Sequence, residues 1–535
     1  MTPKGLAIVF AALSVVTLSV QTSAQDTQLG KVEFQTSGSP AAQAEFLRGL
    51  AALHSFWYEE ALEAFRASTK ADPEFMMGYW GEAMAHNHPL WGEQDTASAR
   101  AVVAKFKETP KLSARERAYL AAVKLLYGEG DKRARDAAYS AAMEKIYTDY
   151  GDDLDAAAFY SLSLLGMVRS EEKSYRLQAR AGAIALDVYQ KNPNHPGAAH
   201  YIIHAFDDPE HAIIALPAAR RYADIAPAAH HARHMPAHIF LQLGMWPEAA
   251  ASNESAWEVS DSWMKRKNLS PSVRDYHSLH WLLYVYLQQG RYHKAEELLS
   301  LMKKTMSETT YENKLRPGYY ENNYANMAAA FIVETERWDL ADTFFPATAG
   351  TAAVEAMGSH SHGAGSALTD ATLRASDRGQ RLPFFVRGLA SAWKGSQTTG
   401  SVSEGANIGE FEILAVAAAA KGDHAQAAKL MRQAVEREEQ MGPPSGPPGL
   451  IKPPHELFGE LLLRAGKAEE AAAQFSASLL RQPNRARSLL GAARAAARLG
   501  DRVTAEATYQ KLLAQWQQAD PDLPELKEAR DYLKK

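Results

Sequence analysis

The sequence predicts an all-α fold, a right-handed solenoid of about ten stacked helical hairpins. Three observations lead there. From Phe46 to the C-terminus, alanine and leucine recur at helical spacing while runs of β-branched residues are scarce. Gly466 and Gly500 stand 34 residues apart, each at the bend between an Ala/Leu-rich helix and a second helix. The same turn, a small residue with an aromatic two positions on and an alanine three further, recurs in "LQLGMWPEAAASNESAW" (241–257), "LQQGRYHKAEELLSLM" (287–302) and "VETERWDLADTFF" (333–345).

Taken in order, residues 1–24 have the layout of a secretory signal peptide: Lys4, an apolar run from Leu6 to Val20, then small residues up to Ala24. A membrane anchor is the alternative, but the run is short and no second hydrophobic span follows. The mature chain is therefore expected to be soluble and periplasmic or secreted, with no integral membrane segment. It contains no cysteine, so disulfides and thiolate metal ligands are excluded and packing area must stabilise it. Residues 25–345 form the N-terminal and central array, opening with "LHSFWYEEALEAFRASTKADPEF" (53–75). Two helices crossing closely need a small residue at the crossing and an aromatic beside it, and a single hairpin cannot bury its apolar face alone. Gly244, Gly290 and Glu336 share one turn position but lie 46 residues apart, so the central units are longer than the 34-residue tetratricopeptide period. Residues 346–409 read as a loop-rich and helical connector around "MGSHSHGAGSALTD" (357–370) and "KGSQTTGSVSEGANIG" (394–409). Residues 410–535 are a C-terminal array interrupted by "MGPPSGPPGLIKPP" (441–454), which is too proline-rich for helix and reads as an extended connector.

The blocks "YWGEAMAHNHPLW" (79–91), "NHPGAAHYIIHAFDDPEHA" (194–212), "HMPAHIFLQLGMW" (234–246), "GPPGLIKPPHELFGELLL" (446–463) and "PNRARSLLGAARAA" (483–496) resemble a family of bacterial exported tetratricopeptide-repeat (TPR) proteins over most of the mature chain. The resemblance implies a scaffold that grips a protein, peptide or small ligand in a concave groove. A net charge of −5 gives no electrostatic reason to expect nucleic acid or anionic lipid as a partner.

The chemistry-bearing feature is histidine. Eight of the 18 histidines fall between His195 and His238. Aligning the turn aromatics Trp246, Tyr292 and Trp338 sets His231 over His277 over Asn323, and His234 over His280 over Asn326; aligning "DDPEHA" with "MWPEAA" sets His200 over His238. Equivalent positions in stacked repeats point the same way. His200 and His204 share one face of a helix that Pro196 can start, and Glu82 with His86 repeats the four-residue spacing. The candidate metal set is His200, His204, His234, His238, His277 and His280, with Glu82 and His86 as further candidates. Such imidazole donors suit a transition metal such as Zn, Cu or Fe. Pro236 is expected to start a helix and leave His230 to His234 in a loop. Tyr201 stands where a zincin would carry its general base, so "HYIIH" is not that protease motif.

Three readings of these histidines stay open: packing residues bonded to neighbouring backbone, a metal-free polar groove, and a metal site. His360 and His362, in a Gly/Ser-rich loop, read as solvated. Tyr284, Tyr320, Asn323, Tyr324 and Asn326 are candidates to edge a small-molecule pocket. The sequence lacks a nucleophile elbow, a phosphate loop and a dinucleotide fingerprint, which leaves an enzymatic role undecided. Two functions follow: an exported scaffold with a protein or peptide partner, or a transition-metal-binding protein or metalloenzyme built on the groove histidines.

Overall fold

The computed structural model describes residues 28–534 apart from 170–173, 312, 314, 347–369, 396–405, 443, 445 and 448. The signal-peptide segment 1–24, and His360 and His362, lie outside the described residues. Hairpins follow one another in chain order: α1 (Pro40–His54) with α2 (Tyr58–Ala71), α3 (Met76–Met84) with α4 (Thr96–Val103), α5 (Ala114–Leu126) with α6 (Lys132–Asp149), α7 (Leu154–Gly166) with α8 (Arg176–Lys191), and α9 (Pro196–Ala205) with α10 (Ala212–Ile225). A split first helix, α11 (His230–His234) and α12 (Pro236–Gln242), then pairs with α13 (Trp246–Arg266). The central array continues through α14 (Tyr276–Gln288), α15 (Tyr292–Glu308), α16 (Tyr319–Thr335) and the short α17 (Ala341–Phe344). Beyond α18 (Asp370–Trp393) stand α19 (Ile408–Ala420) with α20 (His424–Glu439), α21 (Pro454–Arg464) with α22 (Ala468–Arg481), α23 (Ala486–Leu499) with α24 (Arg502–Gln515), and a last helix α25 (Pro524–Tyr532).

The fold is therefore the all-α, TPR-type solenoid that the periodicity predicts. Among the described residues, the exception is a two-residue antiparallel ladder, β1 (Asn87–His88) with β2 (Glu93–Gln94). Local chemistry sets the helix ends. Ser113 and Glu116 form a capping box on α5, and prolines sit in the first turn of α1, α9, α12, α13, α21 and α25. The small-residue crossings are literal: the Phe475 ring lies so close to Gly491 that a Cβ there would come to 2.2 Å of it, and Phe65 stands the same way against Gly81.

Gly244, Gly290 and Glu336 are equivalent, as their 46-residue spacing suggests. All three are left-handed, with φ of +65°, +68° and +54°. Each of these turns is also a docking point for the C-terminal array, which folds back across the central repeats. Asn484 Nδ2 donates to Gly244 O at 3.2 Å, the Asp520 amide donates to Gly290 O at 2.9 Å, and Arg487 pairs with Glu336.

One local expectation is corrected. His230 to His234 are helical, not a loop, because Met235 keeps helical angles (φ −54°, ψ −35°) and carries the chain straight into α12. Pro236 only loses an N–H that the first turn of α12 leaves unpaired, so the helix is split there without being stopped.

Candidate metal centre

Three successive first helices deliver the histidines. His195 caps α9 by accepting the Ala198 N–H on Nδ1 at 3.2 Å, which fixes the helix phase and sets His200 and His204 on one face. The helical path through Met235 puts His231, His234 and His238 three and four residues apart on one side of α11 and α12. Asp275 caps α14 by accepting the Ser278 N–H at 3.1 Å, so His277 projects from the first turn.

The rings gather into two triads. His200, His204 and His231 each offer a nitrogen, all within 4.8 Å of one another, and His234, His238 and His277 do the same. Within them, His200 Nε2 lies 3.1 Å from His204 Nε2 and His234 Nε2 lies 3.1 Å from His238 Nε2. A tetrahedral ion with bonds of about 2.05 Å holds its ligand nitrogens about 3.3 Å apart. The pairs thus need to open by only a few tenths of an ångström to admit one.

Proton positions sharpen the geometry. Asn253 Nδ2 donates to Ala249 O at 2.9 Å, which turns its Oδ1 toward His234, so His234 Nδ1 carries the hydrogen in their 2.7 Å bond. His238 Nδ1 donates to the Asp207 carboxylate at 2.6 Å, and Asp207 is held in turn by Gln242 Nε2 at 3.1 Å. With both rings neutral, the two Nε2 lone pairs face each other and neither has a hydrogen to offer. Only a cation between them resolves this. A proton serves two nitrogens, whereas a metal ion also serves His277. In the other triad His200 Nδ1 donates to His54 O at 2.7 Å, freeing its Nε2 as well, and the buried Nε2 of His231 has no hydrogen-bond partner. A ligand imidazole anchored through its far nitrogen is the arrangement that orients histidines toward metals.

Burial favours the neutral, metal-competent form of five of these rings. It holds His200 at about 3 and His234 at about 4, and together with the neighbouring imidazoles it pushes His204, His231 and His277 well below the ordinary histidine range. His230 goes the other way: burial opposes its charge, but the Asp275 carboxylate, 3.0 Å from Nδ1, outweighs that and raises it. Aromatic rings pack against the triads. Phe56 lies 4.2 Å from the His200 ring, Trp91 5.8 Å from His231, and Trp281 4.2 Å from His238. The proline-rich connector closes over Trp281, since a Cβ on Gly446 would come to 2.8 Å of that ring, and Pro444 O accepts from Gln242 Nε2 at 2.9 Å.

No protein-family model matches the chain, and no curated protein matches it. Among solved structures, the APC/C hetero-tetramer Cut9-Hcn1 is similar at 9% identity, covering 92% of this chain and 75% of that one, with a TM-score of 0.33. The human IFIT1 dimer with m7Gppp-AAAA is similar at 11% identity, covering 95% of this chain and 92% of that one, with a TM-score of 0.34. With TM-scores below 0.5, neither bears on the site.

Set beside the sequence expectations, His200, His204, His234, His238 and His277 come together, and His231 joins them where His280 was expected. His280 lies outside both triads. The stacking register also differs: His234, not His231, faces His277 at 4.7 Å between ring centroids, and His204 approaches His238 at 5.7 Å while His200 meets His231 at 5.0 Å. This first helix is split at Met235, whereas its repeat equivalent α14 is continuous. Glu82 and His86 do not share a helix face, because α3 ends at Met84; Glu82 pairs with Arg66 instead, at 2.7 Å, and neither belongs to a triad.

The small-molecule candidates are engaged elsewhere. Tyr284 OH accepts from the buried Arg485 at 2.8 Å, while the Asn323 and Asn326 amides donate to Tyr319 O and Asn322 O in their own helix. Tyr320 is buried against Tyr276 and Tyr311, and Tyr324 is half-buried on the same helix. His200 and His234 are fully buried, while His204 and His277 are half-buried.

A third cluster joins His54, Asp155 and His195, in which the buried His195 Nε2 lies 3.4 Å from Asp155 Oδ1 without a hydrogen bond of its own. Asp155 Oδ1 accepts from His54 Nε2 at 2.9 Å, and His54 Nδ1 bonds Tyr201 OH at 2.9 Å. It props up the carbonyl that holds His200. Sequence reasoning missed Asp207, Asn253 and His54, the residues that fix the ligand tautomers.

Proposed function

We propose that this chain is a transition-metal-binding TPR solenoid whose buried histidine triads hold the ion. The observation that carries the reading is the His234–His238 contact, in which two imidazoles anchored through Nδ1 by Asn253 and Asp207 turn bare Nε2 atoms toward each other at 3.1 Å. A donor set of imidazole nitrogens alone suits copper, zinc or ferrous iron and disfavours magnesium and calcium, which require oxygen ligands. Three protein nitrogens leave a coordination position for water or a small ligand, so the reading covers both a metal carrier and a metalloenzyme. The location outside the cytoplasm suggested by residues 1–24 belongs to the same proposal. A protein or peptide partner, if the solenoid takes one, would use surfaces other than the histidine cluster.

The test is elemental analysis of the purified mature chain after separate incubation with Zn(II), Cu(II) and Fe(II) and removal of free metal. Near-stoichiometric metal that is lost in a folded His234→Ala plus His238→Ala variant is the expected result. A chain that retains none of the three metals refutes the reading.

A further inference from the structure

We infer that the two triads load together, as one dinuclear copper centre. This rests on the metal-binding reading above and adds the number of ions, their shared site and the element.

The first support is spacing. Ring centroids within the triads lie 4.7 to 5.0 Å apart for His200–His204, His200–His231, His234–His238 and His234–His277. Between the triads the separations are hardly larger, 5.8 Å for His231–His234 and 5.7 Å for His204–His238. His231 and His234 are one turn apart on α11, yet they belong to different triads. Residues three apart on a helix have Cβ atoms about 5 to 6 Å apart, so the two ions must be close neighbours. Two separate ring-to-ring contacts join the halves, one through α11 and one between α9 and α12.

The second support is charge. All six donors are imidazole nitrogens, which bring no negative charge to the ions they would bind. Two carboxylates hold the histidine cluster, Asp207 bonded to His238 and Asp275 bonded to His230 at 3.0 Å. Two divalent ions would bring four positive charges beside these two carboxylates, and excess charge is costly to bury. Two cuprous ions bring half that charge, and Cu(I) accepts three nitrogen ligands without a fourth. In the cupric state each ion needs a further ligand, and one small anion such as hydroxide, lying between the triads, serves both.

The test uses the full mature chain. Anaerobic titration with Cu(I) against a chromophoric chelator counts cuprous ions; loading with Cu(II) followed by electron paramagnetic resonance reports whether neighbouring spins couple. The variants are His204→Ala and His277→Ala, one per triad and both at half-buried rings, with His204→Gln and His277→Gln if either alanine variant loses its helical circular dichroism. Expected are two Cu(I) per wild-type chain and one per variant. The cupric wild type should give well under two spins of signal, and each variant one full isolated spin. One copper per wild-type chain, or two that give two full independent signals, overturns the dinuclear centre while leaving metal binding intact. No copper at all overturns both.

Discussion

Asp207→Asn separates the metal reading from plain packing, because the structure assigns it opposite effects on the loaded and empty protein. Asp207 accepts from two sides, from His238 Nδ1 at 2.6 Å and from Gln242 Nε2 at 3.1 Å. An asparagine that keeps its oxygen on Gln242 turns its amide hydrogens toward His238. The ring must then take the other tautomer, with its hydrogen on Nε2, where the metal would sit. Loss of such an outer partner lowers metal affinity about 10- to 100-fold, or about 1.4 to 2.7 kcal/mol. In the metal-free protein at pH 8.5, where a buried imidazolium is disfavoured, the same tautomer lets His238 Nε2–H donate to His234 Nε2 across the existing 3.1 Å. A hydrogen bond worth about 1 kcal/mol replaces two opposed lone pairs, which for a chain of this size raises the melting temperature by on the order of 1 °C. Chelator competition measures the first effect and calorimetry on the stripped protein the second. Unchanged affinity, or a variant whose apo and loaded forms are destabilised alike, would refute the tautomer reasoning.

Three further outcomes follow from the same structure. Burial lowers His54 to about 4 against 6.5 in the unfolded chain, so as pH falls from 6.5 to 4 the unfolded state takes a proton that the folded state refuses. His54 alone accounts for about 3 kcal/mol of lost stability across that window, and His200 and His234 add to it, to be seen in melts of the metal-free protein at stepped pH; a flat profile between pH 6.5 and 4.5 contradicts it. Arg485 is fully buried, with Nε 2.7 Å from Glu456 and Nη1 2.8 Å from Tyr284 OH. Arg485→Ala leaves Glu456 and Glu334 buried without their guanidinium and should cost about 3 to 5 kcal/mol, read by denaturant titration; a loss below about 1 kcal/mol would mean that water reaches these carboxylates. Gly491→Ala drives a methyl group into the Phe475 ring and should destabilise the C-terminal array by about 1 to 3 kcal/mol in the same assay, against no effect if the crossing has slack.

The fold was legible because its determinants are periodic. The turn at Gly244, Gly290 and Glu336 needs one backbone conformation, and the aromatic two residues on marks it even where glutamate replaces glycine. The site was legible in part. Five of its six histidines follow from their crowding between His195 and His238 and from repeat alignment. The sixth was misassigned because Pro236 was expected to leave His231 in a loop, whereas α11 is helical and brings His231 into the cluster, with His280 outside it. The signal lay in the spacing His231, His234, His238, which reads as one helical face once the chain passes through Pro236. Glu82 and His86 failed for a related reason: four-residue spacing means a shared face only inside a helix, and α3 stops at Met84. Asp207 and Asn253 carry no motif of their own, and only tertiary packing identifies what they hold.

Solenoids of this type ordinarily behave as springs, each unit touching only its neighbours and free to twist a little against them. Here three successive coils are tied at Gly244, Gly290 and Glu336 to a single crossing array, through Asn484, Asp520 and Arg487. The splint stops the coils from stretching past one another, and the two of them that carry His234, His238 and His277 keep those imidazoles in their mutual positions without any ion to gather them. Cutting the chain before α19 would leave the histidines in place along the backbone but release the spring that they ride on.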